Sequence, residues 1–364
     1  MSLSISLRVK SMSDQKRIED YGIRIGQLPK GPLNKITDVK GVRVGHFTMD
    51  TDENKTGVTV ILPVEGNVYT SKPMAASHVI NGFGKSTGLI QIDELGSLES
   101  PIALTNTLNV GLVYDALVEY TIETCAQDGV AVTSFNPVVC ECNDSFLNHI
   151  QNRVIKKEHV YKAIDSAEMD FQEGDVGAGK GMSCHQLKGG IGSASRIINL
   201  NGASYTVGVL VLSNYGLLKD LTIAGKNIGS SLAERIEVEE RKDKGSIISI
   251  IATDIPLSSR QLRRICKRAA VGLSRVGSYM GHGSGEIVIA FSTGNVIRHD
   301  EAKDLLDIRI VKEERLDDIF RAVAEGEEEA ILNSMITASR VVSYDGKVRE
   351  ALKDYILDYV DEII

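Results

Sequence analysis

The sequence predicts a layered protein of the α/β or α+β class, with strands and helices mixed along its whole length. Three observations predict it. Apolar runs of strand length recur throughout, three segments carry helical periodicity, and glycine rather than proline punctuates them, with 34 Gly against 7 Pro. The 364 residues suffice for one large domain or two ordinary ones. No internal repeat and no Pro-rich or Ser-rich linker divides them.

Taken in order, residues 41–47 alternate through Val42 and Val44 as a strand, and 58–62 and 102–105 are short and apolar. Residues 84–92 read as a glycine-rich turn entering extended chain, and 110–126 as a helix. Residues 130–135, 205–212, 247–252 and 287–291 read as strands buried on both faces or nearly so. Leu262, Ile265, Ala269, Leu273 and Val276 keep helical spacing after a Ser258-Ser259 cap signal. Leu316, Ile319, Phe320 and Val323, continuing to Ile331 and Met335, predict the last helix.

Composition narrows the function. Hydrophobic residues at 42% and charged residues at 25% exclude wholesale disorder. A net charge of −8 without a basic block argues against a nucleic-acid partner. The longest apolar stretches, such as 207–212, are strand-sized, so no membrane partner is expected. The first twenty residues lack an apolar signal core and an Ala-x-Ala site, which predicts a cytoplasmic protein. Five cysteines without a Cys-x-x-Cys pair read as reduced, mostly buried thiols. Cys140-x-Cys142 is too short to specify a metal site, and the seven His form no His-x-x-x-His.

Two glycine-rich segments invite three motif readings, each with something against it. Gly84-Lys85-Ser86-Thr87 resembles the end of a phosphate-binding loop, but Val79 stands where that loop needs glycine. Gly84-Lys85-Ser86-Thr87-Gly88 matches a Gly-x-Ser-x-Gly nucleophile elbow, which needs a helix after the turn; the extended reading of 89–92 argues against it. Residues 281–286 fail the dinucleotide fingerprint by spacing. No cofactor is therefore expected.

Gly245-Ser246 is different. Residues 237–244 are nearly all charged, and the apolar run 247–251 follows at once. A cut at this junction would leave Ser246 with a free α-amino group, whose pKa of about 7.7–8.0 lets it act as a base for its own hydroxyl. Glycine at the preceding position leaves the carbonyl open to attack by that hydroxyl. Gly-Ser also occurs at Ser97, Ser193, Ser230, Ser278 and Ser284, but only Ser246 combines a charged approach with a strand that it opens.

The ordered set Asn214-Tyr215-Gly216, Gly245-Ser246, Gly283-Ser284-Gly285-Glu286 and Phe291-Ser292-Thr293-Gly294-Asn295 resembles the L-aminopeptidase/D-Ala-esterase-amidase family, which includes β-aminopeptidases. Upstream, Gly41-Val42-Arg43-Val44-Gly45-His46, Asn81-Gly82-Phe83-Gly84, Thr87-Gly88-Leu89, Val176-Gly177-Ala178-Gly179 and Lys188-Gly189-Gly190-Ile191-Gly192 extend the likeness over residues 21–338. It implies a self-processing serine hydrolase of the N-terminal-nucleophile (Ntn) kind, a four-layer αββα sandwich in one domain. Cleavage would divide it into an α chain, 1–245, and a β chain, 246–364.

The resemblance makes Ser246 the nucleophile, Ser284 and Glu286 the groups that manage its protons, and Asn214 part of the oxyanion hole. Glu141 would hold the substrate's free amino group. Substrates would be short peptides, amino-acid amides or esters, and the assembly a homotetramer of processed pairs. The residue chemistry agrees. Ser284 and Glu286, two apart, share a face on a straight strand, and Asn214 ends an apolar strand where an amide donor is useful. Lys180, where a small hydroxyl residue is common, and His282, where Asn is common, depart from the family pattern. Acyl transfer, a non-catalytic binding role, and an ordinary α/β-hydrolase using Ser86 are the alternative readings.

Overall fold

A computed structural model describes residues 15–239 and 245–364. Two sheets stack face to face. The first contains β1 (Arg43–Asp50), β2 (Lys55–Leu62), β4 (Ile102–Asn106) and β5 (Val138–Cys142), in the order β1-β2-β4-β5. The second contains β3 (Ser71–Gly82), β6 (Gly190–Leu200), β7 (Ala203–Asn214), β8 (Ser246–Thr253) and β9 (Gly285–Arg298), in the order β3-β9-β8-β7-β6. Short two-residue hairpins lie outside these sheets.

The apolar alternation of the strands assigns the layers. Leu104, Cys140, Leu212, Ile248, Ile250, Ile287 and Ile289 fill the space between the sheets. The other face of the first sheet, through Val58, Val60 and Val139, is covered by α2 (Val110–Gln127) and α3 (Lys157–Asp165). The other face of the second, through Val209, Val211, Ile247 and Val288, is covered by α4 (Ser259–Cys266), α5 (Ala269–Arg275) and α6 (Leu316–Ile336). A short helix, α1 (Leu89–Leu95), follows β3. The result is the four-layer αββα α+β sandwich. Arg196 on β6, fully buried, locks the second sheet to α6 through Glu329 at 2.7 Å.

Three expectations are corrected. Residues 130–135 are irregular, and the strand is Val138–Cys142. Pro137 has no N–H to give a ladder, so pairing starts after it. Residues 89–92 are helical: Ile92 packs inward while Ile90 is exposed, the spacing of one short turn of helix. The helix expected from Leu262 to Val276 is two, α4 and α5, parted at Lys267 and Arg268. The Ser258 cap is as read, its hydroxyl accepting from the Gln261 N–H at 3.3 Å.

Behind β8, Glu327 on α6 is fully buried and accepts from the Ser249 hydroxyl at 2.5 Å. Burial pushes its carboxyl up to about 8 from 4.5. Because the folded state holds this proton more tightly, the stabilisation is complete below about pH 4.5 and is lost as pH rises through about 8. Glu327→Gln, neutral at every pH, is expected to lack that loss. Thermal melts of both proteins from pH 5 to 9 should therefore show the native protein falling relative to the variant. A constant difference in Tm would mean that Glu327 does not carry the proton.

Candidate active site

Ser246 is the first residue of β8, between Asn214 of β7, its antiparallel partner, and Gly285 of β9, its parallel partner. The three strands place Ser246 at their common end, 8% exposed, where a cavity of about 440 Å³ opens. Glu141, Asn214, Gly245 and Ser246 all line it, so four of the residues singled out by sequence meet in one space.

The backbone at the Gly-Ser junction is tightly constrained. The Gly285 N–H donates to the Gly245 carbonyl at 3.2 Å and to Ser246 Oγ at 3.3 Å. A Cβ on Gly285 would lie 2.4 Å from the Phe83 carbonyl oxygen, and one on Gly245 only 2.0 Å from that of Asn214. Both positions accept glycine alone because another main chain passes directly over them.

Asn214 has a fixed amide orientation. Its Oδ1 accepts from the Ser183 N–H at 2.8 Å, so Nδ2 must point the other way, and one N–H reaches the Asn143 carbonyl at 2.9 Å. The amide has a second N–H to offer at the cavity wall. Glu141, 3% exposed on β5, accepts from the Lys85 main-chain N–H at 3.1 Å on Oε1 and from the Thr107 hydroxyl on Oε2. Two donors hold the carboxylate while it faces the cavity, an arrangement suited to a substrate ammonium.

Ser284 and Glu286 are 0% and 1% exposed and adjoin the cavity without lining it. Ser284 is not on the strand: its N–H closes a turn onto the Gly281 carbonyl at 2.9 Å, and β9 begins at Gly285. Its hydroxyl is buried with no hydrogen-bond partner among the described residues. Glu286 stands opposite Ile247 in the register, one step past Ser246. Strand alternation puts its side chain on the helix-facing side with Val288, whereas Ser246 and Gly285 face the other sheet.

Of the two departures from the family pattern, Lys180 does not line the cavity and pairs with Asp50 at 2.7 Å and Asp175 at 3.0 Å. His282 does line it, exposed at the mouth. Residues 240–244, most of the charged approach to Ser246, lie outside the described residues. Sequence reasoning missed the clamps on Glu141 and Asn214. Those from Lys85 and Ser183 are main-chain N–H groups, which every residue type but proline supplies, so nothing in the sequence marks them.

Alternative nucleophiles are poorly equipped. Ser86 does follow a strand and precede a helix, as an elbow requires, but its buried hydroxyl meets the Cys140 thiol and no His, Asp or Glu side chain among the described residues, so it has no base. All five cysteines are buried, and none is in a disulfide. Burial pushes the Cys140 thiol up to about 12 and Cys142 well above its ordinary value, which keeps both protonated.

The family model for peptidase family S58 matches residues 34–349. The chain belongs to peptidase family S58. It is thereby an aminopeptidase-family enzyme, a serine hydrolase of Ntn type. The chain is also similar to a protein of known crystal structure from Pyrococcus horikoshii OT3, 49% identical, covering 94% of this chain and 98% of its own, with a TM-score of 0.89. L-aminopeptidase D-Ala-esterase/amidase from Ochrobactrum anthropi, described as a new variant among the Ntn hydrolase fold, is 34% identical. It covers 95% of this chain and 98% of its own, with a TM-score of 0.88. β-Peptidyl aminopeptidase BapA of Sphingosinicella microcystinivorans is 36% identical over 353 residues, 91% of this chain and 88% of the relative. Among the described residues no helix is long and apolar enough to cross a membrane.

Proposed function

We propose that this family S58 member cuts itself between Gly245 and Ser246 and then removes one N-terminal residue from short peptides, amides or esters. The observation that carries the reading is the Gly285 N–H, within hydrogen-bond reach of both the Gly245 carbonyl oxygen and Ser246 Oγ. In the cut, Ser246 Oγ attacks the Gly245 carbonyl carbon. Negative charge develops on an oxygen that already accepts from an N–H, as oxyanion stabilisation requires. The Gly245–Ser246 C–N bond breaks, the nitrogen takes the hydroxyl proton, and water hydrolyses the ester to leave a Gly245 carboxylate and a Ser246 α-amine.

That amine is the base for turnover. It takes the Ser246 hydroxyl proton as Oγ attacks the substrate carbonyl, the Asn214 amide receives the oxyanion, and the proton passes to the leaving amine. Water then releases the acyl group from Oγ. Glu141 fixes the substrate's ammonium at the far end. The family resemblance supports a homotetramer of processed pairs, and five buried cysteines outside any disulfide suit a reducing, cytoplasmic setting.

Alanine and β-alanine p-nitroanilides, each with a free or an acetylated amine, test the reading. The free amines should be hydrolysed and the acetylated ones spared. Glu141→Gln should lower kcat/KM by about 10- to 100-fold, the worth of a charge-assisted hydrogen bond. Equal turnover of acetylated and free substrates would remove the role given to Glu141.

A further inference from the structure

The proposed function leaves Lys85 unused, yet Lys85 lines the same cavity. We propose that Lys85 selects substrates whose N-terminal residue carries a carboxylate, a substrate class that rests on the aminopeptidase reading above. Apart from the titratable His282, Glu141 and Lys85 are the only charged side chains among the described residues that line the cavity. They carry opposite charge but do not neutralise each other. The Glu141 carboxylate is held by the Lys85 main-chain N–H and by Thr107, not by the Lys85 ammonium. That ammonium makes no ion pair among the described residues and stands 5.1 Å from the centre of the Phe83 ring, itself a cavity wall. A cation resting on an exposed aromatic face is held loosely and turns readily to a carboxylate.

The position of Lys85 decides which part of a substrate it meets. Its main chain lies 3.1 Å from Glu141 Oε1, beside the place where the substrate ammonium docks. Its side chain therefore serves the residue being removed, not the leaving group across the scissile bond from Ser246. An acidic N-terminal residue offers an ammonium and a carboxylate a few bonds apart, matching Glu141 and Lys85. A basic one would bring its own cation to Lys85. The carboxylate makes no covalent bond and takes no part in the chemical steps.

Aspartyl, alanyl and lysyl p-nitroanilides, in α-linked and β-linked series, test this on the processed enzyme. In one of the two series, kcat/KM should be highest for aspartyl and lowest for lysyl. Lys85→Met should lower the aspartyl-to-alanyl ratio by about 10- to 100-fold, Lys85→Arg should retain it, and Lys85→Glu should invert the order. A native enzyme that takes alanyl or lysyl substrates as well as aspartyl ones overturns the assignment without any variant. So does an unchanged ratio in Lys85→Met. Failure to hydrolyse any of the six overturns the aminopeptidase reading itself, and this assignment with it.

Discussion

Ser246→Ala is expected to leave a single uncut chain with activity on amides lower by about 10⁴–10⁶-fold, the scale of losing a nucleophile. The loss is chemical, not structural. Alanine keeps the Cβ and the strand pairing of β8, and the Gly285 N–H still has the Gly245 carbonyl to bond. What disappears is the hydroxyl that attacks Gly245 and, later, the substrate. Denaturing electrophoresis, melting curves and p-nitroanilide assays read the three parts separately. An alanine variant that is cut at the same bond would show that another protease makes the cut.

Glu286→Gln is expected to lower kcat by about 10²–10⁴-fold with little change in KM, the range for lost acid–base help. Glu286 is buried, one register step beyond Ser246 and on the opposite face from its hydroxyl. In the proposed function, its carboxylate would steady the α-ammonium that the cut creates on the Ser246 main-chain nitrogen, with Ser284 relaying a proton. Glutamine keeps the volume and removes the charge that steadies this ammonium as it forms in turnover. Processing of the variant has to be verified by mass first, because an uncut chain is inactive for another reason. A fully processed Glu286→Gln enzyme with normal kcat would make this carboxylate structural.

Much of the fold was legible because its strands are buried on both faces and read as uninterrupted apolar runs, as in 205–212, 247–252 and 287–291. The misreadings have local causes. Val138–Cys142 carries an inward Glu141 and two cysteines, so the more apolar-looking 130–135 drew the assignment instead. The β-branched Ile90 and Ile92 hid a seven-residue helix. The two helices Ser259–Cys266 and Ala269–Arg275 preserve one helical phase across their junction, so periodicity could not reveal the break.

At the site, a charged segment followed by an apolar run pointed to Ser246 as the start of a buried strand, and the motifs pointed to Asn214 and Gly285, which pair with it. The contacts that make the cavity work were not. Gly285 could be read as a point of close approach, but not that its N–H reaches both Gly245 and Ser246. Lys85 looked like a failed phosphate-loop lysine, and only the folding of 83–88 against Glu141 turns it toward the cavity.

The central claim is the cut, and the intact mass of the freshly purified native chain tests it most directly. Self-cleavage after Gly245 divides 39.5 kDa in the ratio 245:119, giving species of about 27 and about 13 kDa, the smaller one beginning with Ser246. A single species of 39.5 kDa that nevertheless hydrolyses free-amine amides would contradict the account, because Ser246 would then have no α-amine to act as its base.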